Sequence, residues 1–120
     1  MFAFRLAAVA ALTLIAAAPA LACSCKPMSR EQMMAQVPFV FEGKVLRAYS
    51  EGGETFTEFE VVRPLKGAVP TRVEVASRRS PAACGVSFTP GERLTVGATF
   101  KEHQFHTNSC IIFSLNKSKR

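Results

Sequence analysis

The chain has 120 residues, with 15 Lys and Arg against 9 acidic residues for a formal charge of +6, four cysteines and no tryptophan. This length holds one small core and leaves no room for a second. All nine acids are glutamates, so a Ser-His-Asp triad is excluded, and the modest positive balance favours anionic surfaces without singling out nucleic acid.

The first element is an uncharged run, residues 6–22, preceded by Arg5 and rich in Ala and Leu. Its length and its ending, Ala20-Leu21-Ala22, fit a secretory signal peptide spanning residues 1–22 and cleaved after Ala22. A transmembrane anchor is the weaker alternative, because the run is short and Pro19 interrupts it. Lipidation of Cys23, which would hold the protein to a membrane, fits less well, since Leu21 is placed one position late and one of three remaining thiols would lack a partner. Cleavage makes Cys23 the first residue of a domain covering residues 23–120, in a secreted or periplasmic, oxidising location.

Residues 28–36 read as a short helix that Ser29 caps, with Gln32 completing a capping box, and Pro38 stops it. From Phe39 the pattern changes to period two. Phe39, Phe41 and Val45 share the apolar face of a first strand running to Leu46, and Gly43 inside it marks a bulge or bend. Residues 50–53, SEGG, form a turn. A second strand covers residues 55–63 and Pro64 breaks it; residues 66–70 connect it to a third strand, 71–76, with Val73 and Val75 on one face. Residues 77–90 are irregular. A fourth strand covers 92–100, with Leu94, Val96, Ala98 and Phe100 on one face, and a fifth lies near 104–107. Residues 109–115 are apolar and fit a helical turn or a strand equally. Residues 116–120 form a solvated basic tail. Five short strands with a bend glycine in the first fit a small barrel, with a sandwich as the alternative.

All four cysteines fall in this domain. A Cys23–Cys25 bridge would enclose only Ser24 and is strained. Both remaining connectivities tie the Cys23-Ser24-Cys25 segment to Cys84 and Cys110, which holds the new terminus rigidly where termini usually fray. A free α-amino group has a pKa of about 8. Near neutral pH part of it is unprotonated, and with the carbonyl oxygen of the same residue it can chelate one metal ion. A catalytic zinc keeps one position for water, and a rigid Cys23 terminus can displace that water.

The opening CSCKP at 23–27, the strand VFEGKV at 40–45, the run TFTEFEVVRPLKG at 55–67, ACG at 83–85 and TNSC at 107–110 resemble the N-terminal domain of the tissue inhibitors of metalloproteinases. The resemblance spans nearly all of residues 23–120. It implies a mainly β fold, a five-stranded OB-type (netrin-like) barrel with one or two short helices and a disulfide-stapled N-terminus. It also implies bridges Cys23–Cys84 and Cys25–Cys110, and an inhibitory ridge of Cys23, Ser24, Cys25 and Pro27. Cys23 would bind the target protease's zinc through its main-chain amino and carbonyl groups. Ser24 would enter the specificity pocket, and residues 80–83, with Ala82 and Ala83 at their end, would form a second contact strip. The implied partner is a zinc metalloprotease, the implied state a monomer, and no cofactor is called for. The animal members carry a third disulfide in this domain and a further C-terminal domain. Both are missing here, and the alanine-rich leader and small size resemble a bacterial relative.

Other readings of the same residues are blander. Two bridges can simply staple a small barrel, or the barrel can be a binding module for an envelope protein or an anionic glycan. The CxC spacing suits redox chemistry or copper only if the thiols are reduced. His103 and His106, three apart on a strand, would face opposite sides and make no metal site. Arg78-Arg79 could hold an anion, but read as a solvated loop. The glutamates read as solvated faces. A Cys-His nucleophile would need a cysteine already bridged, so no enzyme is expected. An OB-type nucleic-acid binder needs exposed stacking aromatics, whereas most phenylalanines outside the leader fall on core phases.

Overall fold

The structure, a computed structural model, describes residues 23–117. The expected leader, its cleavage point and the last three residues of the tail lie outside the described residues. Residues 23–29 run without regular structure into helix α1 (Arg30–Gln36). The capping box forms as the sequence predicts: the Gln32 amide donates to Ser29 Oγ at 3.0 Å, and the Ser29 amide to Gln32 Oε1 at 2.9 Å.

Five strands follow: β1 (Phe39–Glu51), β2 (Glu54–Lys66), β3 (Arg72–Arg78), β4 (Arg93–Lys101) and β5 (Gln104–His106), and then helix α2 (Ser109–Leu115). The open choice at residues 109–115 is therefore a helix, with Asn108 Oδ1 accepting from the Ile111 amide at 3.0 Å. Neighbouring strands run in the order β1-β2-β3-β5-β4, and β4 pairs back onto β1 to close a barrel. All pairings are antiparallel except β3–β5, where Val75 and Ala76 lie beside Phe105 and His106. Closure rules out the sandwich.

β1 serves two neighbours. It pairs with β2 along its length and, over Phe39 to Lys44, with β4 as well. Register shifts in its ladder with β2 fall between Val40 and Phe41, Glu42 and Gly43, and Val45 and Arg47. Each shift adds bend and twist, which a strand needs to wrap a small barrel. At Gly43 a Cβ would sit 2.8 Å from the Phe41 ring, so glycine lets β1 fold closely over its own core.

Two strand ends differ from the sequence expectation. β1 runs past Leu46 to Glu51, because the outer half of the hairpin is held by β2 rather than by an apolar face. β2 does not stop at Arg63 but passes through Pro64 to Lys66. Its pairing with β3 ends at Glu60, and Pro64 sits beside a register shift, two settings in which a strand tolerates proline.

The barrel interior holds Phe41, Val45, Phe59, Val73, Val75 and Val96, closed at one end by Ile112 of α2. Phe59 packs edge-on against both Phe41 and Phe88, with ring centroids 5.7 and 5.3 Å apart. A second cluster, Met33, Val37, Val40, Ile111 and Leu115, lies between the two helices and the outer side of β1. Gly97 makes this possible, since a Cβ there would meet Leu115 Cδ1 at 2.6 Å and Ile111 Cγ2 at 2.8 Å. Phe100, expected on the core face of β4, is 48% exposed, because β4 has run past the core by that point. Asn116, expected in a solvated tail, instead clamps α2 to β4: its Oδ1 accepts from the Thr95 amide and its Nδ2 donates to the Thr95 carbonyl, both at 2.9 Å. Among the described residues no helix is long and apolar enough to cross a membrane.

Candidate functional site

The site is built from three pieces of chain: the strap at 23–29, the loop at 79–85 and the first turn of α2. The bridges are Cys23–Cys84 and Cys25–Cys110, with Cα separations of 4.9 and 5.4 Å. Of the two connectivities that spacing leaves open, the chain holds this one. None of the four cysteines is free.

The loop owes its shape to Ser80. Its carbonyl accepts from the Ala83 amide at 2.9 Å and the Gly85 amide at 3.0 Å, and its Oγ accepts from the Ala82 amide at 3.2 Å. This winds residues Pro81–Ala83 into a single 3-10 turn, after which Cys84 takes a left-handed conformation, φ 66°. Gly85 follows because nothing larger fits: a Cβ would lie 2.0 Å from the Arg78 carbonyl oxygen. The Ser109 amide donates to the Cys84 carbonyl at 2.9 Å, which joins the loop to α2. The far end of the strap is held by Lys117, whose Nζ donates to the Met28 carbonyl at 2.7 Å.

Within this frame Cys23 is half-buried, while Ser24, Cys25, Lys26 and Pro27 are exposed. Ala82 and Ala83 are exposed as well and immediately precede Cys84, so the Cys23 bridge brings the two predicted contact segments side by side. The strap and loop carry Lys26 and Arg79, with Arg30 at the start of α1 and Arg78 at the end of β3 beside them, and Glu31 follows Arg30. Glu54 lies opposite Arg78 across the β2–β3 ladder.

The sulfurs are crowded. Cys110 Sγ is 3.9 Å from Cys23 Sγ and 4.0 Å from Cys84 Sγ, and Ser109 Oγ is 3.6 Å from Cys23 Sγ. Bridged sulfur has no thiolate lone pair to give, so this cluster is no metal centre in the oxidised chain. His103 lies in the β4–β5 turn rather than on a strand, and His106 is half-buried with Nε2 enclosed and unpartnered among the described residues.

One contributor has no signal in the sequence. The tip of the β1–β2 hairpin docks on the loop, the Arg79 amide donating to the Gly53 carbonyl at 2.8 Å. On the exposed side of that hairpin Tyr49 stacks on Phe56 at 5.3 Å and donates its hydroxyl to Glu74, which raises the phenol pKa. Next to it Glu58 accepts from Arg47 at 2.8 Å and faces Arg72 at 3.3 Å, and the Arg47 hydrogen bond leads in holding its carboxyl below the usual range. These groups form an exposed ion-pair patch and touch none of the cysteines.

No known protein-family model matches this chain, and no curated protein matches it. The functional reading therefore rests on the site itself.

Proposed function

We propose that the chain is a secreted or periplasmic inhibitor of zinc metalloendopeptidases, similar to the tissue inhibitors of metalloproteinases and built on an OB-type, netrin-like barrel. The strand order with a single parallel β3–β5 pairing supports the OB-type reading. Removal of residues 1–22 makes Cys23 the terminus.

The observation that carries the proposal is the pair of bridges that fix Cys23 and Cys25 while leaving Ser24, Cys25 and Pro27 exposed. A chelating terminus must give up little freedom on binding, because ordering a floppy strap would cost about 1–2 kcal/mol per residue. Here that ordering is complete before the target arrives. The unprotonated α-amino group and carbonyl oxygen of Cys23 would take the water's position on the protease zinc. Ser24 would point past the metal into the specificity pocket, and Ala82 and Ala83 would flank it. The reaction is stoichiometric capping of the metal, and none of these residues has a catalytic role.

The test compares the chain beginning at Cys23 with one carrying a single additional N-terminal alanine, against a panel of zinc endopeptidases. An added residue converts the amine into an amide that cannot bind zinc, so inhibition should fall by at least 100-fold. Equal inhibition by both forms, or none by either, overturns the mechanism.

One observation favours a second reading. Lys26 and Arg79, with Arg30 and Arg78 at the edges of the strap and loop, outnumber the nearby Glu31 and Glu54 and suit a binding module for an acidic envelope protein or an anionic glycan. Salt-sensitive capture that survives acetylation of the N-terminus would select that reading over the first.

A further inference from the structure

The sulfur cluster points to a second chemistry, independent of protease inhibition. We infer that the four cysteines, when they are thiols, form a tetrathiolate site for a thiophilic d10 cation of the zinc class. The sulfurs of Cys23, Cys84 and Cys110 all lie within 4.8 Å of one another, and Cys25 is bonded to the third of them. A tetrahedral ion with metal–sulfur bonds of about 2.3 Å sets its sulfurs about 3.8 Å apart. Two edges of the triangle, at 3.9 and 4.0 Å, have that spacing already. The third edge is the Cys23–Cys84 bond, which opens by side-chain rotation once it is reduced. Cys25 stands outside the group of three that lie within 4.8 Å of one another and, exposed and freed from Cys110 on reduction, would rotate in as the fourth ligand.

Such close approach could instead serve sulfur exchange between the two bridges. Exchange needs the attacking sulfur on the axis of the bond it breaks. Cys110 Sγ is nearly equidistant from Cys23 and Cys84, so it lies beside their bond and off its axis. A shared cation suits this placement and exchange does not.

The surroundings suit a thiolate site. The Ser80 turn, the Ser109 amide bond to Cys84 and the Lys117 contact to Met28 link the three chain pieces by hydrogen bonds in addition to the bridges. Ser109 Oγ can donate to the Cys23 thiolate. Four thiolates around a divalent ion carry a net charge of −2, which suits a segment whose nearest charged residues in sequence to Cys23, Cys25 and Cys84 are Lys26 and Arg79.

A new chain carries four thiols before any bridge forms; alternatively a thiol reductant opens each bridge, two reductant thiols becoming one disulfide while the two cysteine sulfurs gain two electrons and two protons. Metal binding then releases the four thiol protons. Oxidation and metal thus compete for the same sulfurs.

The test is an anaerobic cobalt(II) titration of the phosphine-reduced protein, monitored by absorption and far-ultraviolet circular dichroism. One equivalent should give the intense visible bands of tetrahedral cobalt thiolate, displaced by one equivalent of zinc. Binding in native buffer should be at least 100-fold tighter than in denaturant, and Cys110→Ser should weaken it at least tenfold. If the reduced chain is unfolded, zinc should restore its β signal. The proposal is overturned by weak, six-coordinate cobalt spectra, by equal affinity with and without denaturant, or by an unfolded reduced chain that zinc leaves unfolded.

Discussion

Cys84, Glu102 and His103 hold positive φ angles of 66°, 56° and 64°. Side chains disfavour that region by roughly 1–2 kcal/mol per residue. Cys84 is held there by the Ser80 turn and its bridge, which is strain placed at the site. Glu102 and His103 form the two-residue β4–β5 turn, a position where the second residue is best as glycine. His103→Gly should therefore stabilise the protein by about 1 kcal/mol, raising the melting temperature by about 4–8 °C; an unchanged or lower midpoint would contradict the turn geometry. Gly85→Ala should do the opposite, since its Cβ has no space beside the Arg78 carbonyl, and a loss of roughly 2–3 kcal/mol is expected from chemical denaturation. Glu58 allows a pH prediction. Its carboxyl pKa is lowered in the folded state, first by the Arg47 hydrogen bond, so its contribution is present above the ordinary glutamate pKa of about 4.3 and fades as pH falls through the folded value. Arg47→Gln should lower the urea midpoint slightly at neutral pH, and the difference from wild type should vanish in strong acid. An equal difference at both pH values would remove the ion pair from the account.

At the scale of elements, what could be read from sequence follows from which faces are covered once. Phe41 and Val45 announce β1 because their side of the strand meets the barrel interior, while Phe39, half-buried, packs against Phe105. Val40 breaks the alternation: it is fully buried because α1 and α2 lie across the outer side of β1. The same helices bury Thr95 and Gly97 on β4, and no local pattern foretells a cover that arrives from elsewhere in the chain. Residues 109–115 stayed ambiguous for a related reason, as seven apolar-rich positions are too few to separate a period of 3.6 from a buried strand. The capping box was legible because it is local. Ser29→Ala should cost about 1 kcal/mol. It should also loosen the strap, which Ser29 joins to α1, and a lower heteronuclear NOE at Met28 relative to β1 would report this. Gly97→Val should cost roughly 1–3 kcal/mol by lifting α2 from β4. Because α2 carries Cys110, the cost should be accompanied by altered chemical shifts in the strap; a change confined to the helix pair would show that barrel and site are less coupled than the packing implies.

At the scale of the whole molecule, the CSC segment was conspicuous in sequence because cysteines near a terminus must find distant partners. The docking of the hairpin tip on Arg79 was not, since it depends on the register in which β2 and β3 pair, Glu54 beside Arg78. The two bridges also combine in a way that neither sequence separation reveals. Cys23–Cys84 and Cys25–Cys110 span 61 and 85 residues. Taken singly, each closes a loop worth about 4 to 5 kcal/mol in the chain-entropy model. With one bridge in place, however, the other closes a much smaller ring, made of the 26-residue step from Cys84 to Cys110 and the short Cys23–Cys25 step. That ring is the same whichever bridge is added second. Removing either one as a double serine variant should therefore cost the same, about 3.5 kcal/mol for a ring of about 28 residues. The local consequence should differ. Without Cys25–Cys110, residue 23 stays tethered beside Ala83 and the strap's other end keeps its Lys117 contact. Without Cys23–Cys84, the residues ahead of Cys25 swing free while Cys25 stays tied to Cys110. Equal denaturation midpoints, with fast backbone motion at Ser24 (a low heteronuclear NOE) in the Cys23→Ser/Cys84→Ser variant alone, are the expected result. Clearly unequal midpoints would mean that one bridge is strained or that the denatured chain retains structure around it, and equal motion in both variants would mean that the strap is held by something other than its sulfurs.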